Sequence, residues 1–152
     1  MKPTRISTLV IIAVICAAAG WVLLRAVYAK LPPLPWTGVP ALLIAAVAEA
    51  WIGRDLKARI AGRSGSKPAE PLFVSRMVAL AKASAVAAAI IAGFAAGFDF
   101  YLAGSLTASV PREDALTAVI TFVAAVLLGC AALYLENSCR VPEDPDAPEP
   151  GH

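Results

Sequence analysis

Residues Pro71 to Gly104 read PLFVSRMVALAKASAVAAAIIAGFAAGFDFYLAG. The opening proline suits the first turn of a helix, where its missing amide donor is not needed. From Ala83 to Phe98 no residue is charged, and Ala81, Ala85, Ala89, Gly93 and Gly97 recur at every fourth position. Lipid tails are as apolar as leucine, so helices in a membrane associate through close packing, which small residues permit. The stretch therefore predicts a membrane-spanning helix over residues 78–102, with Ala85, Ala89, Gly93 and Gly97 on a packing face. That face serves either a contact with a second copy or packing inside the chain's own bundle.

The segment before it is the one clearly polar internal stretch. GRDLKARIAGRSGSKPAE, residues 53–70, carries Arg54, Lys57, Arg59, Arg63 and Lys67 against Asp55 and Glu70. Residues 54–76 are expected to form a basic loop, with Gly62 to Lys67 as a flexible linker. A second span is expected over residues 36–53. It rises about 27 Å at ~1.5 Å per residue, close to the ~30 Å hydrocarbon thickness. Trp36 and Trp51 mark its two interfaces, where an amphipathic indole is favoured.

LPPLPWTGVP, residues 31–40, separates that span from the first apolar run, because proline removes a helix donor and restrains its predecessor. The first run follows Lys2 and Arg5 and predicts a span over residues 7–29. The Ala17-Ala18-Ala19 run looks like a cleavage site. However, Trp21 to Leu24 carry the apolar stretch beyond the 7–15 residues of a signal-peptide core, so an uncleaved anchor is expected. On the other side, Ser105 to Asp114 leads into a fourth span over residues 115–136. Glu113 and Asp114 fall where a helix dipole favours negative charge. The tail, residues 141–152, is acidic and proline-rich and is expected to be disordered.

Composition agrees with this plan. The chain has 152 residues, 59% hydrophobic and 16% charged, with a mean hydropathy of +0.74. Soluble domains are about half apolar and about a quarter charged. Of 13 Lys and Arg residues, those at 2, 5, 54, 57, 59, 63, 67, 76, 82 and 140 would lie on the side of the N-terminus, and those at 25, 30 and 112 on the other. Positive charge is retained inside. The expected fold class is thus all-α: an integral membrane bundle of four transmembrane helices over residues 1–140, with both termini cytoplasmic and the chain in the cell membrane.

Few residues suggest chemistry. Glu49 lies inside the second span, on a row with Ala41, Ala45 and Gly53, and an intramembrane carboxylate is by default a functional hypothesis. It could bind a proton or a cation, or pair with a basic residue near the inner headgroups. Lys82 stands near the inner end of the third span and Asp99 near its outer end. Cys16, Cys130 and Cys139 form no metal or disulfide spacing, and the lone histidine is His152. Walker A, GxSxG, HExxH and CxxC motifs are all missing from the sequence. No catalytic, cofactor-binding or metal-binding residue is expected, and no cofactor. The basic segment suits anionic lipid, at about 1 kcal/mol per Lys or Arg near the surface. It lacks interleaved aromatics, so nucleic acid is not an expected partner.

MKPTRIS at the start, LPPLPW, EPLFVSRMVALAKASA and the terminal LYLENSCRVPE together resemble an uncharacterised family of actinobacterial integral membrane proteins, domain of unknown function 3180 (DUF3180). The most specific parts are LAKASA, Leu80 to Ala85, and LExxCRVP, Leu135 to Pro142. The resemblance implies a small membrane protein of about this length, often encoded beside folate-biosynthesis genes, and brings no catalytic residues with it. It directs attention to Glu136 and Arg140, which at i,i+4 would pair if the last helix continues, and to Lys82 or Arg76 as further partners of Glu136. The expected function is a non-enzymatic interaction or scaffold protein of the membrane, with a second copy or another membrane protein as partner. The alternative is a small oligomeric transporter that uses Glu49.

Overall fold

A computed structural model of the chain describes residues 4–27, 36–60, 71–104 and 112–139. All of the regular structure among them is helical: α1 (Ile6–Val27), α2 (Gly38–Ile60), α3 (Pro71–Gly104) and α4 (Arg112–Ser138). Pro71 is the first residue of α3, and α2 opens after a turn in which the Val39 amide donates to the Trp36 carbonyl at 3.3 Å. At the far end of α4 the Cys139 amide donates to the Leu135 carbonyl at 3.1 Å and to the Glu136 carbonyl at 3.3 Å. Such a shared donor is common in the last turn of a helix.

Three of the four helices are long and apolar enough to cross a membrane: Ile6–Ala26, Leu72–Ala103 and Asp114–Ser138. The second helix differs from the expected span. It continues past Gly53 through Arg54, Asp55, Lys57 and Arg59, so its polar last turns are helix where a loop was expected. Its uncharged part from Gly38 is interrupted by Glu49 and rises only about 24 Å before Arg54. The polar turns hold because Asp55 and Arg59 pair at 2.8 Å across i,i+4, while Leu56 between them is buried, 1% exposed. The pair is exposed and contributes a few tenths of a kcal/mol; burial of Leu56 contributes about 2 kcal/mol. The basic loop is thereby shortened at both ends, since α3 already begins at Pro71. The linker Gly62–Lys67, Arg140 and the acidic tail lie outside the described residues.

The helices pack as an open series: α1 on α3, α3 on α4, α4 on α2. Four clusters give their directions. Leu24 packs with Phe98, Leu102 and Ala118 at one end. Leu9 packs with Ala85 and Ala132 nearer the other. Ala46 meets Ala88, Leu128 and Ala131, and Leu56 meets Ala81, Leu135 and Cys139. Hence α1 and α3 run one way, and α2 and α4 the other.

The interior is built from alanine. Ala81, Ala124, Ala125 and Ala132 are wholly buried, whereas Ile44, Trp51 and Phe100 are about 70% exposed. Small residues inside and large apolar ones outside reverse the arrangement of a soluble protein, where contiguous exposed apolar surface is limited. This is the arrangement expected where hydrocarbon surrounds the bundle.

Candidate functional site

The row of small residues on α3 does not form one stripe. A step of four residues turns a helix by about 40° beyond a full turn. Ala81 consequently packs with α2 and α4, Ala85 with α1 and α4, and Gly93 and Gly97 meet α1. A Cβ added at Gly93 would clash with the Ala13 carbonyl oxygen and stand 2.7 Å from Cys16 Cβ. At Gly97 it would clash with the Ala17 carbonyl oxygen and stand 3.2 Å from Ala17 Cα. Gly20 answers from α1, where an added Cβ would lie 3.0 Å from Phe94 Cδ1. The GxxxG of α3 is therefore occupied by the chain's own first helix. Ala13, Ala17 and Gly20 belong to the same contact, and their small size at helical spacing was the available signal for it.

The end of the bundle that holds the start of α1 and α3 and the close of α2 and α4 carries the polar residues of interest. Glu49 projects from α2 into the wall formed with α3 and α4 and is 5% exposed. Ser84 of α3 hydrogen-bonds its side chain, and its Oε2 atom is buried with no hydrogen-bond partner. Ser84 was not singled out in the sequence. It lies inside LAKASA, on the helical face shared by Ala81 and Ala88, and that spacing to two alanines was its only signal.

Glu136 occupies the other side of the α3–α4 seam. It is 6% exposed, and its Oε1 accepts the Thr4 backbone amide at 2.9 Å. The carboxylate thus stands where α1 begins, next to amides that have no partner within the helix and at the positive end of its dipole. Residues 4 and 136 are far apart in the chain, and nothing local announces their meeting. Lys82 is half-buried. It stands seven residues before Ala89, which packs on the Leu9, Ala85 and Ala132 cluster, and so on the side of α3 turned toward α1. Of the four candidate residues, Glu49 and Glu136 are placed on opposite sides of the seam, Lys82 shares the side of Glu136, and Arg140 lies outside the described residues.

Cys139, the residue after the last of α4, is buried against Leu56, Ala81 and Leu135. Burial, and secondarily the neighbouring Glu136 carboxylate, push its thiol pKa up. At the opposite end of α1 the Arg25 guanidinium lies 4.6 Å from the centre of the Trp21 ring, a cation–π contact suited to an interface.

An external groove on α2 is bordered by Val47, Trp51, Arg54 and Asp55, whereas two beside α3 are apolar. One of about 450 Å³ runs between α1 and α3, bordered by Val14, Trp21, Gly97 and Phe100. Another, of about 250 Å³, lies between α3 and α4 at Phe94, Phe98 and Thr121. Among the described residues no three His, Cys, Asp or Glu side chains converge as a metal site.

The chain is thus an all-helical bundle, three of whose helices are suited to crossing a membrane. It belongs to the family described as Protein of unknown function (DUF3180), whose profile matches residues 9–143 and so takes in α2, α3 and α4, and α1 from its fourth residue. No curated protein and no solved structure matches it.

Proposed function

We propose that the chain is an integral protein of the cytoplasmic membrane that crosses it four times and acts by binding other components, without catalysing a reaction. One observation carries the membrane placement. The alternating helix directions gather Arg5, Arg54, Lys57, Arg59 and Arg76 at a single end of the bundle, while Arg25 lies at the other. Positive charge gathered at one end is the pattern that orients helical membrane proteins, with that end inside. Both termini and the basic segment are then cytoplasmic. α2 is the short fourth span, turning Ile44, Val47 and Trp51 outward to lipid and its last two turns into the headgroup layer, in contact with anionic lipid. The shared interior is alanine packing and the grooves beside α3 are apolar outer walls, which suits contact with lipid, a second copy or another membrane protein.

Single cysteines in a cysteine-free background test the placement. Arg59→Cys is expected to react with an impermeant maleimide only after the membrane is opened, and Thr37→Cys in intact cells. Labelling of Arg59→Cys from outside overturns the orientation, and labelling of both positions from inside removes the α2 span. The binding role is tested by crosslinking in membranes followed by purification in mild detergent, which is expected to yield a defined complex. A chain recovered only as an uncrosslinked monomer counts against it.

Transport is the second reading, favoured by the buried, partnerless oxygen of Glu49. Proton or solute flux in reconstituted vesicles that disappears in Glu49→Gln supports transport. A complex retained without flux supports the binding role.

A further inference from the structure

We propose that Glu49 and Ser84 form a proton-binding site in the wall between α2 and α3, with Glu49 carried there as the neutral acid. The proposal rests on the membrane placement of α2 argued above, but not on transport.

The geometry leaves few alternatives for this carboxyl group. Glu49 is 5% exposed, so water does not solvate it. One oxygen is left for the Ser84 hydroxyl, and Oε2 is buried with no hydrogen-bond partner. An isolated ionised carboxylate in such surroundings costs many kcal/mol, and a buried group responds by neutralising. The residues that face α2 here are Ser84 and Ala88 on α3, and Leu128, Ala131, Tyr134 and Leu135 on α4. Two titratable groups approach α2 from this side among the described residues: Tyr134 packs over Gly53, one turn further on, and Cys139 packs with Leu56, about two turns on. No cation is found beside Glu49 among the described residues. The basic residues of α2 stand on the exposed side: Arg54, Lys57 and Arg59 all face outward.

A proton on Oε2 neutralises the group and leaves the Ser84 hydroxyl donating to Oε1. The site lies within about two turns of the basic end, so its proton exchanges with the aqueous phase on that side. Among the described residues a hydroxyl and a carboxyl are its polar groups, which suit a proton, whereas a metal cation takes more oxygen ligands.

Hydrophobic carbodiimides test this, because they react with a protonated carboxyl group inside a membrane and not with its carboxylate. The full-length chain in membrane vesicles is treated with dicyclohexylcarbodiimide across a pH series and analysed by peptide mass spectrometry. The same vesicles are extracted with alkaline carbonate. The expected result is an N-acylurea on Glu49 at neutral pH, lost as pH rises and absent in Glu49→Gln. Asp55, exposed and paired with Arg59, is expected to stay unmodified. Ser84→Ala is expected to move the pH at which labelling is half lost, and Ser84→Thr, which keeps the hydroxyl, to restore it.

A chain that stays in the carbonate pellet with Glu49 unmodified overturns the site while leaving the membrane placement intact. Release into the supernatant overturns the placement, and the proposal with it. Protection of Glu49 by sodium but not by potassium assigns the site to a metal cation and also overturns the proposal.

Discussion

Two carboxylates with similar burial have different surroundings. Glu136 faces the start of α1 and accepts the Thr4 amide, so its environment stabilises negative charge. Glu49 faces alanine, leucine and one hydroxyl. Glu136→Ala is expected to destabilise the bundle by about 1.5–3 kcal/mol, the usual contribution of a charged hydrogen bond. The loss should appear as a lower thermal midpoint in detergent and faster proteolysis near Thr4; an unchanged midpoint would remove the anchoring role. Cys139 provides a second measurement. With its thiol pKa raised chiefly by burial, the folded chain holds less thiolate than the unfolded chain at any given pH. Its alkylation is expected to be slow in mild detergent and fast in denaturant. Glu136→Gln should recover only a minor part of the difference, since the carboxylate is the lesser cause. The same shift gives a sign for stability. The unfolded thiol ionises first, so the stability from Cys139 is complete at neutral pH and declines as pH rises through the alkaline range.

At the level of the helices, the decisive contacts lie between backbones. Gly93 and Gly97 bring α3 against Ala13 and Ala17 of α1, whereas Gly129 of α4 has room, its added Cβ meeting Ala88 Cβ at 3.5 Å. Three glycines in similar sequence settings therefore predict opposite outcomes. Gly93→Leu is expected to force α1 off α3 and cost about 1–3 kcal/mol or more, as overpacking does. Gly129→Ala is expected to be neutral or stabilising by up to about 1 kcal/mol, because alanine is the better helix former. Thermal unfolding in one detergent compares them. If Gly93→Leu instead changes the oligomeric state and leaves the midpoint alone, the row faces a second copy and the α1 contact is not its role.

At the level of the molecule, the order α1–α3–α4–α2 makes the seam of α3 and α4 the centre and leaves α1 and α2 as flanks, α1 packed mainly on α3 and α2 mainly on α4. The flanks are held differently: α1 by glycine contacts and the Glu136 anchor, α2 by its Ala46 and Leu56 clusters. α2 is also the helix with the carboxylate in its wall. Removing Leu56 is expected to loosen this flank, with Leu56→Ala costing about 2–5 kcal/mol. Hydrogen exchange should then rise in α2 before α1, and a uniform rise across all four helices would argue against separate flanks.

Several features could be read directly from residues. The apolar runs announce α1, α3 and α4, because a helix that meets hydrocarbon needs no polar face and twenty apolar residues suffice to mark it. Pro71 and the prolines before Trp36 mark boundaries, because proline's limits are local. Glu49 stands out because a carboxylate in an apolar run is rare for energetic reasons. Other features depended on which helices meet. The polar turns after Gly53 look like loop until Leu56 is seen buried among Ala81 and Leu135. The GxxxG of α3 names no partner, because small residues allow close approach to any helix. The two carboxylates acquire different surroundings only in three dimensions, where Thr4 comes to one and Ser84 to the other. Apolarity and chain stiffness act over a few residues and are written in order along the chain; the choice of neighbour depends on shape over the whole bundle, which only packing resolves.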